Sequence, residues 1–104
     1  MATTHQKKWT VRDEILISDA LVHEFDSQPP SANHPVVDRL CITLPARRAA
    51  VVWKLRNHAQ FHDGYTDAPT NASALSEAVA KAFIAAPDEM HRIAQALRKE
   101  VQPK

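Results

Sequence analysis

The residues of this 104-residue chain best able to do chemistry are its six histidines. His58 and His62 stand four positions apart, and Asp63 follows directly. On a helix that spacing puts both imidazoles on one face, as zinc sites do. No third ligand stands at a defining distance, and no glutamate lies between them to act as a base. The spacing therefore predicts a polar helix end running into a solvated loop, not a metal site. Cys41 is the single cysteine, which excludes an internal disulfide framework, and its apolar neighbours suit a small core residue. The single glycine, Gly64, cannot build a phosphate-cradling loop. Ser18, Ser73 and Ser76 read as capping or helix-surface residues. We expect no enzyme, no cofactor and no metal.

These residues need helices to position them. With 44% apolar and 24% charged residues, the composition is that of an ordinary globular domain. One glycine is too few for a sheet rich in tight hairpins. The expected fold is all-α, a compact single-domain bundle of four to five short helices over residues 10–102, behind a flexible N-terminal tail at 1–9. Thr10 is placed to cap the first helix, with Asp13 and Glu14 in its first turn, where carboxylates meet the positive end of the dipole. A proline-containing linker at 27–35 follows. Pro35 then starts a short helix over 36–41, although Leu40, Ile42 and Leu44 also alternate as a strand would. Residues 43–45 restart a helix that runs to 57 or 60. It is apolar on two sides, which predicts a central helix with Trp53 as a core anchor on its alanine face. Trp9 reads as a staple holding the first helix to the body.

After a second loop at 61–71, residues 72–85 form an amphipathic helix carrying a Glu77–Lys81 pair. Asn71-Ala72-Ser73 matches a glycosylation acceptor but reads as the start of that helix. Pro87 must end that helix or sit at the start of the last one, whose expected stripe is Met90, Ile93, Ala94, Leu97 and Val101.

Charge is segregated between two of these helices. Residues 11–27 hold Arg12 against Asp13, Glu14, Asp19, Glu24 and Asp26, whereas residues 46–60 hold Arg47, Arg48, Lys54 and Arg56 with no acid. The net charge of +1 leaves any attraction to nucleic acid to a local patch. The expected function is a small non-enzymatic protein that binds another protein or itself as a homo-oligomer, through Asp13, Glu14, Asp19, Glu24, Arg47 and Lys54. An alternative rests on Leu40-Cys41-Ile42-Thr43 followed by Ala46 and Val51, which resembles the spacing of the bacterial helix-turn-helix family over residues 36–59. The pattern departs from that family where Cys41 replaces the usual turn glycine and where Arg47 replaces an apolar packing residue. The resemblance implies a DNA-binding regulator, with Arg47, Arg48, Lys54 and Arg56 facing phosphates or base edges. No membrane partner is expected, since no long apolar run occurs, and the expected location is cytoplasmic.

Overall fold

Four of the five helices begin at residues that suit a helix start. In the computed structural model, which describes residues 8–25, 33–62 and 73–101, these helices are α1 (Val11–Glu24), α2 (Pro35–Thr43), α3 (Arg48–Ala59), α4 (Ala74–Ala85) and α5 (Pro87–Val101). Most of the tail at 1–9, most of the 27–35 linker, Asp63, Gly64, Asn71 and residue 102 lie outside the described residues.

Thr10 caps α1 in a reciprocal box: its hydroxyl accepts from the Asp13 amide and its own amide donates to the Asp13 carboxylate, each at 3.2 Å. Such a cap contributes about 1 kcal/mol. At α2, Pro35 takes the first helical position and the His34 ring nitrogen accepts from the Val36 amide at 3.1 Å. Ser73 caps α4 by accepting from the Ser76 amide at 3.0 Å. Pro87 opens α5 directly after Ala86 closes α4. Residues 35–43 are helix, so the alternation of Leu40, Ile42 and Leu44 does not reflect a strand.

Two expectations are corrected. The helix expected to restart at 43–45 begins at Arg48 instead: Thr43 ends α2, and Leu44 closes it by donating to the Leu40 carbonyl at 2.9 Å. The central helix is α1, not α3. Helix α1 packs against α3, α4 and α5, and every residue from Asp13 to Leu21 is buried. Helix α3 buries Val51, Leu55 and Ala59 but leaves Ala49 exposed and Trp53 53% exposed, so Trp53 is no core anchor. A second apolar side of a helix predicts burial only when a neighbour arrives to cover it, and α2 and α4 leave this one uncovered among the described residues.

The core forms around Ile15, Leu16, Ile17 and Leu21 of α1, met by Val37, Leu40 and Leu44 near α2, Val51 and Leu55 of α3, Val79 and Phe83 of α4, and Ala94 of α5. Trp9 packs half-buried against this cluster, as a staple would, and so does Cys41. The α5 stripe is shallower than its sequence suggests: Ala94 is buried, Met90 and Leu97 half-buried, and Ile93 41% exposed. Glu77 and Lys81 pair at 2.6 Å. The bundle is all-α and compact. Among the described residues no helix is long and apolar enough to cross a membrane.

Candidate functional site

Three features outlast the demands of packing: a buried polar network, a polar pocket and an uncovered helix face. The network joins two one-turn pairs on facing helices. Helix α1 presents Glu14 and Ser18, while α3 presents Lys54 and His58. Glu14 Oε1 accepts from His58 Nε2 at 2.7 Å and from the Ser76 hydroxyl at 2.8 Å, and Lys54 Nζ approaches Oε2 at 2.9 Å. His58 Nδ1 lies 3.0 Å from the Ser18 hydroxyl. An ionised carboxylate can only accept, so Nε2 of His58 carries a proton. Burial is the largest influence on Glu14 and pushes its carboxyl pKa up. The hydrogen bonds from His58, Lys54 and Ser76 together outweigh it and hold the pKa below the usual glutamate value.

A hydroxyl, an imidazole and a carboxylate in a row have the composition of a hydrolytic triad. Here, however, Ser18 and His58 are both 0% exposed, so no substrate reaches the hydroxyl. Lys54 is closed off too, with its ammonium 5.2 Å from the centre of the Trp9 ring. The His58–His62 pair is not available as ligands, because both nitrogens of His58 are occupied and α3 ends at Ala59, before His62.

The pocket, about 210 Å³, lies between α1, α2 and α5 and is lined by Asp19, His23, Glu24, Arg39, His91 and Arg98. Asp19 sits at its base with its side chain 1% exposed. His91 Nδ1 donates to Asp19 Oδ1 at 2.6 Å, and His23 Nε2 is 3.7 Å from the same oxygen. Arg98 Nη2 lies 2.6 Å from Oδ2 but off the line of a hydrogen bond. Arg39 grips both oxygens of Glu24, at 3.0 and 2.5 Å.

The acids expected to form an exposed docking surface therefore turn inward. Asp13, Glu14 and Asp19 are buried, and Glu24 is the most accessible of the four. Of the basic set, Lys54 is spent on Glu14, and Arg48 pairs with Asp38 of α2. Arg47 is exposed and Arg56 half-buried. The structure thus brings Glu14 together with Lys54, and Asp19 with Glu24 through Arg98, but gathers neither set into one surface patch. The sequence did not reveal His91 or Arg98 as partners of Asp19, which they meet across 72 and 79 positions. The only local signal was the Asp19–His23 spacing of one helical turn.

No family model, no curated protein and no solved structure matches the chain.

Proposed function

We propose that this chain is a non-enzymatic protein-binding module whose contact face is the outer side of α3. The observation that carries this reading is Trp53, the bulkiest residue type, left 53% exposed on a helix whose opposite side is fully buried. Ala49, Trp53 and Arg56 follow at spacings of four and three, so they share that side, while Arg47 is exposed just before the helix begins. Tryptophan and arginine are the residues most enriched at energetic centres of protein interfaces. Small Ala49 leaves the indole accessible from one flank.

The partner is a different protein with an acidic, apolar surface. If two copies met through this face of α3 in parallel, Arg56 would face Arg56 again. Like charges set opposite one another disfavour that pairing. Duplex DNA is the second reading, favoured by the exposure of Arg47 and Arg48. It is weakened because Arg48 and Lys54 already have carboxylate partners within the chain.

The test compares wild type with Trp53→Ala and Arg47→Glu/Arg56→Glu as affinity baits, then measures the recovered partner's affinity in purified form. Trp53→Ala is expected to weaken binding at least about tenfold. Its stability should fall by less than a buried aromatic would cost, because about half of the residue is in solvent. The charge reversal should weaken binding most at low salt. A partner bound equally by all three proteins would sink the reading, as would a salt-dependent duplex gel shift abolished by the charge reversal with no protein partner recovered.

A further inference from the structure

We propose that Asp19, His23 and His91 form a binding site for a divalent transition-metal ion of the zinc type, separate from the α3 face. Asp19 and His23 stand one turn apart on α1, and His91 reaches in from α5. One ligand atom from each of the three lies within 4.8 Å of the other two. Tetrahedral zinc, with bonds of roughly 2.0–2.2 Å, places its ligand atoms about 3.3–3.5 Å apart. The His23–Asp19 separation of 3.7 Å is already close to that value. The 2.6 Å His91–Asp19 hydrogen bond has to open by less than about 1 Å, with the ion taking the place of the shared proton. The two rings lie beside each other, centroids 4.1 Å apart and tilted by 37°.

The surroundings suit such an ion. Zinc-bound carboxylates are oriented by groups outside the ligand set, here by the charge of an arginine. Arg98 stands beside Oδ2 of Asp19 and leaves Oδ1 to face the imidazoles. Glu24, bound in turn by Arg39 and 3.9 Å from Arg98, offsets one of the two positive charges of those arginines. His23 and His91 are 35% and 32% exposed, which leaves an entry path. Three protein ligands leave a fourth position facing the cavity, open to water or an anion, as in zinc sites that bind exogenous ligands. Imidazole and carboxylate together select zinc or a neighbouring transition metal over magnesium or calcium.

The experiment is calorimetric titration of zinc chloride into the full chain, with a thermal melt before and after addition. Wild type is expected to bind one equivalent and to melt at a higher temperature with zinc, because the ion binds only the folded state. His23→Ala and His91→Ala should each lose at least about tenfold in affinity and most of the melting shift, while His62→Ala should keep both. The two variant sites are partly exposed, so their melts without zinc show whether they fold. Zinc addition to wild type should also move the imidazole resonances of His23 and His91, a readout that needs no variant. Absence of a saturable single site would overturn the proposal. So would affinity undiminished in both histidine variants, or lost in His62→Ala.

Discussion

Replacing Glu14 with alanine is expected to lower the unfolding free energy by about 3–5 kcal/mol, a large share of what a domain this size possesses. The loss does not reflect the strength of one ion pair. Glu14 is 1% exposed and receives His58, Ser76 and Lys54. Its removal leaves a buried imidazole nitrogen, a buried hydroxyl and a mostly buried ammonium without the acceptor they share. Urea denaturation of the two proteins measures it, and a loss under about 1 kcal/mol would show that the network relaxes around the gap.

The same residue sets a pH dependence. Its pKa is lower folded than in the unfolded chain, because the three hydrogen bonds outweigh the upward push of burial. The folded state therefore holds this proton less tightly than the unfolded state. The stabilisation is fully present above the ordinary glutamate value and is lost as pH falls through the lowered folded value. Denaturation midpoints of wild type and Glu14→Gln, taken from pH 7 to about 3, should converge at the acid end. Parallel profiles would contradict the sign.

Phe83→Ala should cost a comparable 3–5 kcal/mol or so, from lost transfer energy and the cavity left behind. Phe83 is 1% exposed and heads the fully buried side chains in size, in a helix that packs on α1, α3 and α5. The comparison with Trp53→Ala is informative, since tryptophan is the larger residue and yet its loss is expected to cost less, about half of it being in solvent. Guanidinium or thermal unfolding ranks the two directly; the reverse order would mean that α3 packs through its other side.

What could be read from the residues alone divides along a physical line. Helix starts at Thr10 and Pro35 were legible, because capping is settled within three or four residues, whereas α4 starts at Ala74 rather than 72, and Pro87 could be read as an end or a start. The start of α3 was not legible: Arg47 caps it without a side-chain bond, so it carries no local mark. Burial of Glu14 and Asp19 was equally hidden. A carboxylate goes inside only if partners meet it there, and those partners stand 40 to 79 positions away. The equal and opposite charges of the first and third helices were visible, and Lys54 meeting Glu14 is one outcome of them. Which basic residues stayed in solvent depended on how α3 is rotated about its axis, and its two-sided apolar pattern left that rotation open.

The central position of α1 has a consequence for how the chain reaches this state. Residues 11–24 emerge first during synthesis, yet the helices that cover them include residues 74–101 at the far end of the described chain. Until those arrive, Leu16, Ile17 and Leu21 have only the apolar residues of α2, Leu44 and α3 to shelter them, and Asp19 has neither His91 nor Arg98. Long loops must close before the centre is rewarded, which gives this bundle a higher contact order than an up-and-down arrangement of neighbours and slows its folding accordingly. A ribosome-stalled or prematurely terminated product lacking α5 would present an apolar helix with an uncompensated aspartate, a recognisable target for chaperones and proteases.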